Sequence, residues 1–265
     1  NDIKKNAKQI YDACFKGGAK YIALCEGDDY WTDPYKLQKQ VDFLEGNPDY
    51  SICFHNAAII WNYDYPNKVK HFHEFGWAKL DINKDEYNIT DTFRGALMHT
   101  ATVLFRNSEK VKNLPNWFSK IYSGDLALFS IIAGEEKIKY LNESMSVYRK
   151  HEASITTNHS GIGFHVNRIF MLHKLNDYYN RKHEETIIEV VNEHLENITA
   201  SIIYHRQKID SDHFFILFKI FVKTALIDKY SFKIFAHNFF TFSKLKIIIK
   251  PVLFYRRKLL RWRMK

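Results

Sequence analysis

KYIALCEGDDYWTDPYKLQKQVDFLE, residues Lys20–Glu45, contains the change of period that decides the fold. Tyr21–Cys25 is a short apolar run of the kind that fills a buried strand. Glu26-Gly27-Asp28-Asp29 follows at once, where that strand would leave its sheet. Asp33-Pro34 has the chemistry of a helix start: a carboxylate able to cap, then a residue with preset φ and no N–H to leave unpaired. Leu37, Val41 and Leu44 recur at i, i+4 and i+7, and Gly46-Asn47-Pro48 closes the helix.

Upstream, Ile3, Ala7, Ile10 and Cys14 predict another helix, stopped by Gly17-Gly18; downstream, Ser51–Asn56 predicts a second strand. Helix, strand, helix, strand over residues 2–56 is the alternation of an α/β unit with a parallel sheet. Residues 62–95, rich in Asn, Asp, Tyr and His, predict a long surface loop. His99–Arg106 predicts a strand, Asp125–Ala133 an apolar helix, and Ile138–Leu141 and Met145–Arg149 two short strands. The polar stretch around Thr156–Gly161 predicts a boundary, so that residues 1–157 form the α/β domain and residues 158–265 a helical, basic region. Within that region Ile187, Val191, Leu195, Ile198 and Ile202 mark one amphipathic helix and Phe214–Ile227 a second.

The net charge of +9 is unevenly placed. Residues 1–214 hold 26 Lys+Arg against 29 Asp+Glu, whereas residues 215–265 hold 13 basic residues and only Asp228. The partner implied by the positive charge therefore belongs to the tail. After Pro251, Val252, Tyr255, Leu259 and Trp262 share a stripe with Arg257, Arg261 and Lys265 roughly opposite. A basic, aromatic segment over 214–265 predicts a helix lying on an anionic membrane surface, where each Lys or Arg contributes about 1 kcal/mol. No apolar run reaches the roughly 18–20 residues that span a bilayer. Three scattered cysteines, Cys14, Cys25 and Cys53, argue against a disulfide framework or a cysteine zinc site and fit a reducing cytoplasm. No nucleic-acid-binding signature is present, and His55, His71 and His73 lack the spacing of a separate zinc site.

Closely spaced carboxylates at a strand end repel one another unless a positive group intervenes, and a hard divalent cation is the economical solution. GDDYW followed by DPYKLQKQVDFLE resembles the donor-metal segment of GT-A glycosyltransferases of family 2, from Lys20 to about Asn56. SGDLALFSIIAGEEKIKYLNESMSVYRKHEASI, residues 123–155, resembles the acceptor-side segment of the same family, with a Gly-Asp pair opening a helix and a closing Tyr-Arg-x-His. The resemblance implies a GT-A nucleotide-diphospho-sugar transferase sheet and an inverting transfer of sugar to an acceptor hydroxyl, with Mn²⁺ or Mg²⁺ as cofactor. It implies Asp125 as general base, Asp28, Glu26 and His151 as metal ligands, and Asp29, Trp31 and Arg149 as substrate-binding residues. Gly95 and His99-Thr100 would border the acceptor pocket. The implied partners are a nucleotide-diphosphate sugar and a saccharide or lipid-linked acceptor; the basic tail predicts work at the inner face of a bacterial plasma membrane, and the Lys-, Ile- and Asn-rich composition predicts surface polysaccharide synthesis. The family's opening strand and further β–α units have no counterpart before Asn1, which implies a partial domain of weak or absent activity. A non-catalytic basic adaptor, binding membrane or nucleic acid, and a metal-dependent phosphohydrolase are the competing readings.

Overall fold

Two long strands lying side by side in parallel, β3 (Tyr50–Trp61) and β7 (Lys137–Lys150), form the spine of the protein. The computed structural model describes residues 15–61, 69–151 and 161–203, with Asp212. The expected helix over Ile3–Cys14 and the basic tail 214–265 lie outside the described residues.

The remaining strands are short. β1 (Tyr21–Ala23), β2 (Tyr30–Trp31), β4 (Lys70–His71), β5 (Glu86–Tyr87) and β6 (Leu104–Arg106) complete a seven-stranded mixed sheet whose main path runs β1-β6-β3-β7-β2. All pairings except β3–β7 are antiparallel. The parallel sheet expected from the helix–strand alternation is thus corrected. β1 and β3 do not pair; β6 lies between them, antiparallel to both, with Ile22, Phe105 and Ile52 in register.

Strand β3 runs five residues beyond the expected Ser51–Asn56, because Ala57–Trp61 continues the apolar run. Its near-continuous burial is what a strand covered on both faces requires. The two expected strands of residues 138–149 are one: β7 passes Asn142-Glu143 through a register shift opposite His55 and Asn56. A polar pair that reads as a turn is here a bulge. The expected strand His99–Arg106 is shorter, since Thr100–Thr102 forms a 3₁₀ turn before β6. Within 62–95 the described part is no surface loop: Phe72, Leu80, Tyr87, Ile89 and Phe93 are buried there.

Helix α1 (Lys36–Gly46) packs on β3, where Leu44, Cys53 and Leu104 form a buried cluster. Asp33 accepts from the Tyr35 N–H at 2.7 Å and pairs with Lys39 at 2.8 Å, so it stabilises the turn that leads into the helix. Gln40 is fully buried and ties three elements together. Its Nε2 donates to the Cys53 carbonyl at 2.8 Å and the Thr102 carbonyl at 2.9 Å, and its Oε1 accepts from Lys36 Nζ at 2.8 Å. Gln40→Leu would strand two carbonyls and an ammonium, each left-over polar group costing about 1–3 kcal/mol. A loss of about 3 kcal/mol is expected, read as a lowered urea midpoint with unchanged slope.

Two short helices, α2 (Ile89–Phe93) and α3 (Glu109–Lys112), lie against α4 (Gly124–Ala133), seven of whose ten residues are buried. Thr92 and Ser130 hydroxyls, 2.8 Å apart, link α2 to α4. Gly134 ends α4 at φ 52, a conformation L side chains rarely adopt, and a Cβ there would come within 2.8 Å of Lys110 Nζ. Helices α5 (Ile162–Tyr178) and α6 (Glu184–Ile203) complete the described chain.

The chain divides into two compact units, one of Asn1–His159 with Lys174–Thr186, the other of Ser160–His173 with Ile187–Lys265. In the first, Tyr179 donates to the Ser130 carbonyl at 2.8 Å and Lys182 pairs with Glu135. In the second, Val166, Ile169 and Leu172 are buried, as are Val190, Leu195 and Ile198, and the Nδ1 atoms of His165 and His194 lie 2.9 Å apart. Among the described residues no helix is long and apolar enough to cross a membrane.

Candidate metal and catalytic site

The chain leaves β1 on one side of the sheet and re-enters as β2 at the far edge of β7, so the intervening acidic loop must cross between them. The Asp29 N–H bonds the Glu26 carbonyl at 3.0 Å and closes a tight turn over Gly27-Asp28. Pairing of Tyr30 with Val147 and Trp31 with Ser146 then sets this turn beside the end of β7. Residues about 120 positions apart meet there. The Arg149 N–H donates to Asp29 Oδ1 at 3.0 Å, the Arg149 Nε donates to the Asp28 carbonyl, and His151 Nε2 lies 3.2 Å from Asp28 Oδ2.

The carboxylates sort into two groups. Asp28 points outward, its side chain 43% exposed, and faces His151. Glu26 and Asp29 form the other group with His99, whose possible ligand atoms all lie within 4.8 Å of one another. Asp29 is buried, and its Oδ2 has no hydrogen-bond partner among the described residues. Its nearest basic neighbour, His99 Nε2 at 3.7 Å, is too distant for a hydrogen bond.

Burial raises the Glu26 carboxyl to about 7, with Asp125, Asp29 and Asp28 adding repulsion. Glu26 is nevertheless exposed, so solvent screens much of that effect. Burial raises Asp29 to about 6, opposed by the bond from the Arg149 backbone and reinforced by Asp28. His99, stacked on Tyr148 with ring centroids 4.0 Å apart, is pushed down to about 4 by burial, and is therefore neutral at pH 7. It therefore adds no positive charge to the cluster, on which Arg149 exerts only a minor effect at Asp29.

A divalent ion fits these residues. Two carboxylates and a neutral imidazole are a suitable donor set, and ligand separations below 4.8 Å suit metal–ligand distances of about 2.1–2.4 Å after slight closure. Binding through His99 Nε2 requires the proton on Nδ1, which would end the weak 3.3 Å bond that Nδ1 now accepts from the Ala101 N–H. Asp28 and His151 present a further oxygen and nitrogen at the outer rim.

Asp125 lies in the first turn of α4, next to the N-cap Ser123. There the unpaired N–H groups and the helix dipole favour a negative charge. Its charge acts on Glu26, which puts it within electrostatic reach of the same cluster. No protein-family model matches the chain. An uncharacterized protein of Mycobacterium bovis and two of Mycobacterium tuberculosis are each 33% identical to it over 159 residues, 58% of this chain. The chain spans 40% of the length of each of these relatives.

The other expected site residues fall as follows. Asp29, expected at the substrate, is buried and holds the Arg149 backbone. Trp31 is partly anchored: its Nε1 donates to the Ala101 carbonyl at 3.0 Å, and Lys36 Nζ lies 4.5 Å from its ring centroid. Arg149 reaches over the Tyr30 ring at 6.0 Å as well as to Asp28. One residue joins the cluster without having been assigned a ligand role: His99, expected only at the pocket border. Lys36 is almost fully buried, and burial lowers its ammonium to about 8.

Proposed function

We propose that this chain forms the metal- and acceptor-binding part of an inverting glycosyltransferase that uses a nucleotide-diphosphate sugar. The observation that carries this reading is the meeting of the Glu26–Asp29 turn, His99, the first turn of α4 and the end of β7 around carboxylates whose proton affinities are raised. A divalent cation held by Glu26, Asp29 and His99, with Asp28 and His151 at the rim, would offset the charge of a departing diphosphate. Asp125 would accept the proton of the acceptor hydroxyl as its oxygen attacks the anomeric carbon. The bond to the phosphate oxygen breaks in the same displacement, its electron pair leaves with the nucleoside diphosphate, and the configuration inverts. Arg149, whose guanidinium bonds the Asp28 carbonyl, would pair with that leaving group. The basic tail remains, in this reading, the element facing an anionic membrane and a lipid-linked acceptor in bacterial surface polysaccharide synthesis.

The test is product analysis with Mn²⁺, a panel of nucleotide-diphosphate sugars and saccharide acceptors. Release of nucleoside diphosphate only when acceptor is present is expected. Release independent of acceptor would identify a phosphohydrolase instead; no release with any donor, which a partial domain also gives, would select the non-catalytic adaptor only together with an absence of Mn²⁺ binding.

A further inference from the structure

Lys150 sits between Arg149 and His151 but turns to different neighbours. Its Nζ lies 4.9 Å from the ring centroid of Trp61, 4.8 Å from that of Trp77 and 5.6 Å from that of Tyr148. The sheet register fixes this contact, because Trp61, the last residue of β3, pairs directly with Lys150. Trp77 is held from behind by the buried Phe72, edge-on at 5.1 Å, and by Phe75 at 5.5 Å. Both indoles nevertheless stay open to solvent, Trp61 at 43% and Trp77 at 42%.

The ammonium is partly desolvated, which lowers its proton affinity, and no carboxylate among the described residues contributes an opposing effect. Aromatic faces attract a cation without neutralising it. Two exposed indoles, with an ammonium between them that no described carboxylate neutralises, complement a ring that has an apolar face and one negative charge. A neutral nucleobase would stack but leave the ammonium without a counter-charge, and a neutral sugar would do the same. The platform adjoins the acidic cluster through Tyr148, whose ring lies 5.6 Å from Lys150 Nζ and stacks on His99 at 4.0 Å.

We propose that Trp61, Trp77 and Lys150 form a subsite for an acidic saccharide acceptor, the indoles stacking on the C–H face of a sugar ring and Lys150 pairing with its carboxylate. Naming the substrate class in this way rests on the glycosyltransferase reading of the neighbouring cluster.

The test is binding, measured by calorimetry on the full chain without divalent metal, so that no transfer reaction enters. Three probes are used: a hexasaccharide of alternating glucuronic acid and N-acetylglucosamine, the same oligosaccharide with its carboxyls reduced, and uridine monophosphate. The acidic hexasaccharide is expected to bind at least tenfold more tightly than its reduced form. Lys150→Gln is expected to remove that preference and leave the affinity for the reduced form unchanged. Trp77→Ala should weaken both saccharides about tenfold, whereas Trp77→Phe, which keeps an aromatic face against Phe72, should retain most of the affinity. Equal affinity for the two saccharides, or a preference that survives Lys150→Gln, would overturn the proposal. So would binding of uridine monophosphate, but not of saccharide, that is lost in Trp77→Ala. Failure here leaves acceptor-dependent nucleoside diphosphate release intact as the separate test of the glycosyltransferase reading, and absence of that release leaves the binding result standing.

Discussion

Asp125→Asn is expected to lower acceptor-dependent nucleoside diphosphate release by about 10²–10⁴-fold, the usual contribution of a positioned base and roughly 3–5 kcal/mol of barrier. The substitution keeps shape and removes charge. Loss of the carboxylate's favourable placement in the first turn of α4 contributes about 0.3–1 kcal/mol to its structural cost. A second readout separates loss of a base from damage to the site. Asp125 is the foremost charge raising Glu26, so its removal lets Glu26 ionise at lower pH. Mn²⁺ binding by the variant should therefore be retained at pH 7.5 and persist to lower pH than in the wild type. Near-full turnover in Asp125→Asn would sink the base assignment. Loss of turnover together with loss of Mn²⁺ binding would show that the carboxylate serves the metal site instead.

The elements most legible in the sequence are those with a clean local period. Tyr21–Ala23, Lys36–Gly46 and Gly124–Ala133 form where apolar spacing and flanking breakers place them. Strand neighbours were not legible, because pairing depends on residues far along the chain. Nothing near Tyr21 indicates that Leu104–Arg106 inserts between it and Ile52. The bulge at Asn142-Glu143 was hidden for a related reason: two polar residues have the composition of a turn, and only the partner strand decides whether the chain reverses. Average polarity likewise concealed Phe72, Tyr87 and Phe93, each a single apolar residue in a polar stretch yet buried in the fold. At the site, the closeness of Asp28 to His151 and the electrostatic effect of Asp125 on Glu26 were foreshadowed by two ordered motifs. The inner grouping was not. Asp28 and Asp29 are chemically alike in sequence, and which of them is buried follows from the turn geometry and the Arg149 backbone bond. His99 carries no spacing relation to either, and its position depends on stacking against Tyr148.

The buried carboxylate also makes stability depend on pH and metal in a defined direction. Asp29 has its folded pKa raised from 3.8 to about 6, so the folded state holds this proton more tightly than the unfolded chain does. Stability from this group is therefore lost as pH rises through the window from about 4 to 6, the reverse of a salt-bridged carboxylate. At about 1.36 kcal/mol per pKa unit the metal-free penalty at pH 7.5 is roughly 3 kcal/mol. Asn at position 29 can still accept the Arg149 N–H through its side-chain oxygen but carries no charge to bury. Metal-free Asp29→Asn is accordingly expected to be more stable than the wild type at pH 7.5, with the advantage disappearing at pH 4. Saturating MnCl₂ should cancel most of that advantage. A ligand at 100 times its dissociation constant stabilises by about 2.7 kcal/mol, which the wild type should gain at pH 7.5 and forfeit near pH 5, where protons hold the carboxyls of Asp29 and Glu26. The variant, lacking one anionic ligand, should gain little at either pH. Urea unfolding at the three pH values, with and without MnCl₂, decides the matter. An equal metal-induced shift in wild type and variant would place the ion elsewhere, and a wild type indifferent to MnCl₂ at pH 7.5 would remove the cation from the site altogether.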